Sequence, residues 1–147
     1  MNDSAPISRR GLARRMTVQA VYHWLVNETT PEQLLKQFRD DPGLGRADGD
    51  YFNELLNGTV QQMGALDVHI TPLLDRPLTQ LDPVEHAVLL VAAYELAHKP
   101  DVPWRVVVNE AVNLAKMFGA EEGYKFVNGV LDKLARTLRA AEIAAKP

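Results

Sequence analysis

The chain has 147 residues, of which 46% are hydrophobic and 24% are charged. This length and composition are typical of one globular domain and exclude a disordered or fibrous chain. The absence of cysteine excludes disulfide bonds and thiolate chemistry. The longest strongly apolar run, residues 87–94, is too short to cross a bilayer, which takes about 20 residues, and no signal peptide is visible, so we predict a cytoplasmic protein.

The net charge of −3 is spread unevenly along the chain. Residues 1–25 carry four arginines against one aspartate, whereas residues 26–86 carry four basic and eleven acidic side chains. Residues 87–147 are nearly balanced, with eight basic and seven acidic side chains. Because screening confines charge effects to about 10 Å at ordinary salt, the basic N-terminal segment attracts anions despite the negative total.

Two helices are predicted near the N-terminus, after a tail at residues 1–7. Ser8 is a good N-cap residue, and apolar side chains at helical spacing continue the first helix to about Val26. The sequence Thr30-Pro-Glu-Gln33 is a capping box with proline at the first helical position, and it predicts a short helix through Phe38.

The middle of the chain is predicted as a loop followed by two helices. Residues 40–50 are dense in turn formers, and their glycines lack the preceding strand and the Gly-Lys-Ser/Thr sequence of a phosphate-binding loop. Apolar side chains at helical spacing then predict one long helix over residues 51–67. A shorter helix is predicted over residues 69–75, where Arg76-Pro77 ends it.

Three helices are predicted in the remainder of the chain. Asp82, an N-cap residue followed by proline, begins a helix to about His98 that is apolar nearly all round and therefore central in the core. The next helix spans residues 104–118, with Gly119 in the left-handed position that ends it. The last helix spans about 121–140, and since no period-two pattern predicts a strand, the fold class is all-α.

No motif brings together the side chains that an enzyme needs. The four histidines stand singly, without a metal-binding i, i+4 pair, and no phosphate-binding, dinucleotide-binding or nucleophile-elbow sequence occurs. Glu121 and Glu122 are adjacent acids, but in the first turn of a helix they complement the helix dipole. We therefore predict a protein without catalytic activity, cofactor or metal.

The arginines near the N-terminus are the first candidate binding group, and they are Arg9, Arg10, Arg14 and Arg15. Arg10 and Arg14 lie four residues apart and share a helix face. Cations at a helix N-terminus destabilise the helix, so phosphate binding, which releases counterions, explains the cluster better than a merely solvated helix start.

Lys125, Phe126 and Asn128 form a second candidate group in the last helix. A cation beside an aromatic ring suits single-stranded RNA, because an exposed ring stacks on an unpaired base for about 1–3 kcal/mol. By its position beside the apolar stripe alone, Phe126 is somewhat better explained as a core residue than as an RNA contact. Both alternatives stay open on the residues alone.

Six segments spread over nearly the whole chain match one known pattern in order. They are Val108-Asn-Glu-Ala-Val-x-Leu-Ala-Lys-x-Phe-Gly119, Tyr124-Lys-Phe-Val-Asn-Gly-Val-Leu-Asp-Lys133, and residues 19–24, 82–90, 93–96 and 101–103. Together they resemble the NusB family of transcription antitermination factors. The resemblance implies one all-α domain over residues 1–147, with about seven helices in two three-helix subdomains at about 8–76 and 82–140.

The resemblance also implies a function. Proteins of this family are not enzymes; with ribosomal protein S10, acting as NusE, they bind the boxA element of leader RNA. With other Nus factors and RNA polymerase they promote read-through of terminators in ribosomal RNA operons. The residues that match the RNA-binding region are Arg9, Arg10, Arg14, Arg15, Glu122, Lys125 and Phe126, and those that match the S10-binding surface are Tyr22 and Glu85.

The match is incomplete in the arginine-rich segment. Gly11 and Leu12 interrupt the denser basic run of the family, which places more weight on Arg9 and Arg15. Substitution at Glu122 is expected to modulate RNA binding, and Tyr22 is also well explained as a core residue.

Two other functions stay open. Some ribosomal RNA cytosine methyltransferases carry a similar helical domain for RNA recognition, and the chain would then be a fragment, because no cofactor-binding domain follows within its 147 residues. Alternatively, the chain is a protein-only scaffold whose basic segments are incidental. Binding of boxA RNA and S10, separately and together, distinguishes these functions.

Overall fold

The computed structural model describes residues 7–39, 41 and 45–145, and within them it is all-α, with no β-strand. The α-helices are α1 (Arg9–Asn27), α2 (Pro31–Arg39), α3 (Gly49–Gln61), α4 (Met63–Ile70), α5 (Pro83–His98), α6 (Trp104–Phe118), α7 (Gly123–Leu138) and α8 (Ala140–Ala145). Most of the predicted tail and four residues of the predicted loop, 40 and 42–44, lie outside the described residues. The all-α fold class is confirmed.

The predicted caps position the helix starts. Ser8 Oγ accepts the Gly11 N–H at 2.9 Å, and Asp82 Oδ1 accepts the Val84 N–H at 2.8 Å. Thr30 and Gln33 form the reciprocal capping box, with the Thr30 N–H on Gln33 Oε1 at 3.0 Å and the Gln33 N–H on Thr30 Oγ1 at 3.2 Å. Each cap satisfies backbone donors that the first turn of a helix leaves unpaired.

The prediction of one long helix over residues 51–67 is wrong. The helix breaks at Gln62, whose ψ of 8° is not helical, and α4 continues to Ile70 before a short 3₁₀ turn at Thr71–Leu73 replaces the separate helix predicted over 69–75. Gly58 and Gly64 flank the break, and glycine weakens a helix interior. The apolar spacing continues across the break, so periodicity alone gives no sign of it.

The predicted left-handed residue is also misplaced. Gly119 is extended, with φ −92° and ψ 178°, whereas Glu122 has φ 75° and is the residue immediately before α7. Glu121 and Glu122 therefore lie in the turn that precedes α7, and the interpretation that they occupy the first helical turn is wrong.

Helix α5 is the centre of the fold. It packs against α1, α3, α4, α6 and α7, and eleven of its sixteen residues are buried. Gly58 lets α3 approach closely, since a Cβ there would lie 2.3 Å from Tyr94 Cζ. The apolar side chains of both predicted subdomains join one buried cluster around this helix, and the division at residues 76 and 82 stays a prediction.

A buried ion pair joins α1 to α5. Glu95 is 0% exposed, and its carboxylate accepts two hydrogen bonds from Arg14, at 2.6 Å from Nε and 2.8 Å from Nη2. The Tyr51 hydroxyl of α3 donates a third hydrogen bond to Glu95, and Arg14 Nη1 donates to Glu110 of α6 at 3.2 Å. Four helices thus meet at one carboxylate and one guanidinium.

The protonation states of this network follow from its burial. Burial opposes the charge on Arg14, but the hydrogen bonds to Glu95 and the charge of Glu95 outweigh that cost and hold the pKa of Arg14 above its usual value. Burial also raises the pKa of the Tyr51 hydroxyl, and the negative charge of Glu95 raises it further. Arg14 is therefore charged and Tyr51 neutral at physiological pH, as their hydrogen bonds require.

A second buried cation connects the end of α5 to the start of α6. Arg139 donates to the backbone carbonyls of Leu96, Glu95 and Lys99 at 2.7, 3.1 and 2.8 Å, so its cation lies at the C-terminal end of α5, where the helix dipole favours positive charge. Arg139 also pairs with Glu142, whose Oε2 accepts the Trp104 N–H at 3.1 Å. The helix ends on both sides of the α5–α6 connector are thus capped by two side chains.

We expect Glu95→Gln to lower the free energy of unfolding by about 3–5 kcal/mol, because it leaves the buried Arg14 cation without its counter-charge. The matched control is Glu54→Gln, which breaks the ion pair of a half-exposed carboxylate with Lys99 and costs less than about 1 kcal/mol. Urea denaturation followed by circular dichroism measures both values. Equal losses in the two variants would contradict the central role of the Glu95 network.

Candidate nucleic-acid interface

Two of the predicted arginines lie at the surface near the start of α1 and are held by tertiary contacts. Arg9 donates to the Ala47 carbonyl at 3.2 Å, which holds it beside the start of α3. Arg10 pairs with Asp101 at 3.2 Å, and its Cζ lies 4.2 Å from the centroid of the Tyr51 ring. The hydrogen bond raises the pKa of Arg10 and lowers that of Asp101, so both groups stay charged.

Arg14 does not belong to this surface. It is only 4% exposed, and its guanidinium is bound to Glu95 and Glu110, so the structure places a core cation where an RNA contact was predicted. The physical reason is the tertiary surroundings of each turn of α1. Arg10 and Arg14 lie on the same side of α1, but the turn that holds Arg14 faces the carboxylate of α5, whereas Arg10 lies beyond the edge of the core.

Arg15 lies beside a groove between α1 and α6. The groove has a volume of about 530 Å³, which is in the range of a small-ligand site. Its walls include Arg15 and Gly11 of α1 and Asn113 and Met117 of α6. Asn109, Asn113 and Lys116 are exposed on α6. They give the exposed side of this helix hydrogen-bond donors and a cation.

The second predicted group lies where α7 begins. The Lys125 side chain is 63% exposed, and its Nζ lies 2.6 Å from Glu122 Oε1. The left-handed conformation of Glu122 places its carboxylate before the first turn of α7, one helical turn from Lys125. Lys125 is thus an accessible cation whose charge is partly offset by one acid.

Phe126 is neither fully buried nor a free ring. It packs against the core as a partly buried side chain, and the guanidinium of Arg76 lies over its ring, with Cζ 4.6 Å from the centroid. Neither alternative from the sequence, core residue or RNA contact, describes Phe126 fully. Its ring also contacts Arg76, and the sequence did not indicate this contact.

Arg10 and Lys125 lie at opposite ends of α6. Arg10 contacts Asp101 just before α6 begins, whereas Lys125 follows the turn after Phe118 ends it. A helix of 15 residues is about 22 Å long, so these two cations are not adjacent, whereas Arg15 shares a groove with Met117 near the C-terminal end of α6. The exposed side of α6 lies between them, and Lys116 reaches the Tyr124 ring at 4.7 Å. A single RNA face that joins both groups stays a prediction.

The predicted partner residues lie near the other end of α1. Tyr22 is partly buried and lines a groove of 470 Å³ together with Val18, Phe38, Val84 and Phe118. Its ring meets His23 edge-on, with centroids 5.8 Å apart. Tyr22 therefore combines core packing with access to a partly apolar groove that α1, α2, α5 and α6 form.

Glu85 is buried rather than open to a partner, with 7% of its surface exposed. Its carboxylate lies against Gly123, where an added Cβ would be 2.4 Å from Oε2. The carboxyl group of Glu85 thus lies beside the N-terminal end of α7, whose first turn has no acid of its own. Burial raises the pKa of Glu85, the nearby Asp82 raises it further, and Arg76 partly offsets both.

Sequence reasoning missed Glu95, Arg139 and Arg76. A carboxylate within the apolar run of residues 87–96 was a usable signal for Glu95, because a buried charge needs a counter-charge. Arg139 and Arg76 gave no such signal, since their partners are backbone carbonyls and a ring distant in the sequence.

The described residues show neither a metal site nor a membrane-spanning helix. No group of three or more acidic, histidine or cysteine side chains is arranged there to hold a metal ion. None of the helices there combines the length and the apolar character that crossing a membrane requires.

Comparisons with known proteins match nearly the whole chain. The sequence model of the NusB family matches residues 12–136. The transcription antitermination protein NusB of Ralstonia nicotianae is 50% identical over 141 residues, which are 96% of this chain and 91% of that protein.

Two solved structures have the same fold. NusB of T. maritima is similar with a TM-score of 0.77 and 29% identity, over 90% of this chain and 92% of the other. A crystal structure of the antitermination factors NusB and NusE in complex with double-stranded RNA gives a TM-score of 0.79 and 27% identity, over 88% of this chain and 97% of that one.

The raised pKa of Glu85 predicts a pH-dependent effect of Glu85→Gln. The folded state favours the protonated acid, so the stability that Glu85 contributes is present below its ordinary pKa and is lost as pH rises through the raised value. We therefore expect the variant to gain stability relative to the wild type as the pH rises from the ordinary pKa of a glutamate, about 4.3, through the raised value. Urea denaturation at several pH values measures the difference.

The exposed Glu32→Gln on α2 is the control for the change of charge alone. A difference between Glu85→Gln and the wild type that does not vary with pH would contradict the burial of this carboxylate.

Proposed function

This chain belongs to the NusB family of transcription antitermination proteins, and from that premise we propose that it binds boxA leader RNA together with ribosomal protein S10, acting as NusE. The family consists of transcription factors rather than enzymes. The observation that carries the proposal is that Arg9, Arg10 and Arg15 lie near the start of α1 although the chain has a net negative charge. Arg9 and Arg10 lie at the surface.

The proposed RNA surface has two parts. The first consists of Arg9, Arg10 and Arg15, which supply phosphate contacts, while Arg14 holds the helix in place from inside. The second consists of Lys125 and Phe126 at the start of α7, with Glu122 moderating the charge of Lys125. Phosphate contacts at one end and stacking at the other suit an extended single strand that follows the exposed side of α6.

The proposed S10 surface is the groove beside Tyr22. Its apolar walls and partly covered aromatic ring are typical of a site that receives one apolar side chain of a partner. Glu85 contributes there indirectly, because its buried carboxylate positions the start of α7 through Gly123. Tyr22 and the RNA residues of α7 thus approach the same end of α5.

The biological setting that we propose follows from the family. The protein acts in the cytoplasm with other Nus factors and RNA polymerase, and it promotes read-through in ribosomal RNA operons. The closest alternative, a domain of an RNA methyltransferase, is disfavoured because the match to the Ralstonia protein extends over 91% of that antitermination factor.

The experiment that tests the function is a titration of fluorescent boxA RNA with the protein, with and without S10. We expect binding by the protein alone and tighter binding when S10 is present, because the two ligands contact neighbouring parts of one surface. Single-stranded boxA, a scrambled strand and a duplex of the same length are compared. Binding to S10 without any gain in RNA affinity would instead favour the protein-only scaffold.

Variants of both parts of the RNA surface sharpen the test. Arg10→Ala and Lys125→Ala are each expected to weaken boxA binding by about tenfold or less, and to reduce the slope of log affinity against log salt by about 0.7 for each lost phosphate contact. Arg136→Ala is the matched control, since Arg136 is a 70% exposed cation near the far end of α7 that pairs with Asp132.

Glu122→Gln is expected to strengthen boxA binding, because it removes the acid that lies 2.6 Å from Lys125 Nζ.

Unchanged affinity and salt slope in both Arg10→Ala and Lys125→Ala would overturn the assigned surface.

A further inference from the structure

Arg76 lies over Phe126 although 50 positions separate them in the sequence. It lies between the two short 3₁₀ turns Thr71–Leu73 and Leu78–Gln80, and its side chain remains 39% exposed. Its Cζ is 4.6 Å from the Phe126 ring centroid, which is within the range of a cation–π contact. The ring is therefore covered on one side by a planar cation that is itself open to solvent.

Asp75 fixes the orientation of this guanidinium. Arg76 Nε donates to Asp75 Oδ1 at 2.7 Å, and Nη2 donates to Oδ2 at 3.3 Å, so the carboxylate holds one edge of the guanidinium plane. Two of the five N–H donors are used in this contact. These contacts with the ring and with Asp75 leave the Arg76 side chain 39% exposed.

The charge of Arg76 is largely offset locally. The hydrogen bond with Asp75 raises the pKa of Arg76 and lowers that of Asp75, so the two form a charged pair. A phosphate approaching this pair meets an exposed carboxylate as well as the cation. A neutral, flat ring avoids that repulsion, and guanidinium planes are surfaces on which unpaired bases stack.

We propose that Arg76 and Phe126 form a two-layer stacking platform for one unpaired base of the bound RNA. The Phe126 ring supports the guanidinium from below, and the base stacks on the outer side of Arg76. Lys125, the neighbour of Phe126, is the nearest assigned cation for the adjoining phosphate. This inference rests on the proposed RNA binding and assigns to it a residue outside both matched sets.

The test is Arg76→Lys, which keeps the positive charge but removes the plane. We expect boxA affinity to fall by about fivefold or more, as loss of a stacking contact implies, while the salt slope stays the same. Arg105→Lys is the matched control, since Arg105 also lies over an aromatic ring, Trp104, at 5.0 Å. We expect it to bind as the wild type does.

A second readout reports stacking directly. Single 2-aminopurine substitutions along the boxA strand are expected to reveal one position whose fluorescence is quenched by the wild-type protein and recovers with Arg76→Lys. Phe126→Leu, which removes the supporting ring, is expected to give the same recovery at the same position. Melting temperatures of the variants show whether each one is folded.

Three results would overturn the platform. The first is that Arg76→Lys binds boxA as the wild type does and quenching does not change. The second is that Arg76→Ala lowers the salt slope and Arg76→Lys restores both the slope and the affinity, which indicates a phosphate contact. The third is that the Arg76 variants lose S10 binding but keep RNA binding, which indicates a protein contact. If the wild-type protein binds no RNA at all, the proposed function fails as well, so the two failures are distinguishable.

Discussion

The fold depends on satisfying one carboxylate in an apolar helix. Glu95 lies within the buried run of α5, near its C-terminal end, where an unpaired charge would cost several kcal/mol. Arg14, Tyr51 and the carboxylate can meet only if α1 and α3 approach α5 at one rotation and one register. Apolar packing alone tolerates small rotations, whereas a two-point guanidinium contact does not. The ion network thus converts a generic helical core into a specific one.

The candidate site is positioned from the same helix. The N-terminal end of α5 carries Glu85, which lies against Gly123 and so places the start of α7, with Lys125 and Phe126. The C-terminal end of α5 is capped by Arg139, which with Glu142 fixes the start of α6. Buried polar side chains near both ends of α5 therefore set the positions of the exposed charges around it.

Sequence patterns predicted the helix types and most helix ends, because caps such as Ser8 and Asp82 act locally. They failed at Gln62 and Gly119, where the chain changes direction without a change in apolar spacing. The family resemblance indicated the functional class, but the exposure of individual residues depends on tertiary contacts. Arg14 and Arg10 share a helix face in the sequence, yet only the first has a buried carboxylate opposite it, and Arg76 reaches Phe126 only through the folded chain.

The inward direction of Arg14 has a consequence for how this surface can be changed. On α1, position 14 is bound to the core, whereas Arg9 and Arg10 make surface contacts of the kind that contribute little to stability. Substitutions at those outer positions alter the charge offered to solvent and leave the Glu95 site intact. Positions 9 and 10 can therefore diversify, in evolution or in a designed library, as exchangeable recognition positions on a fixed scaffold.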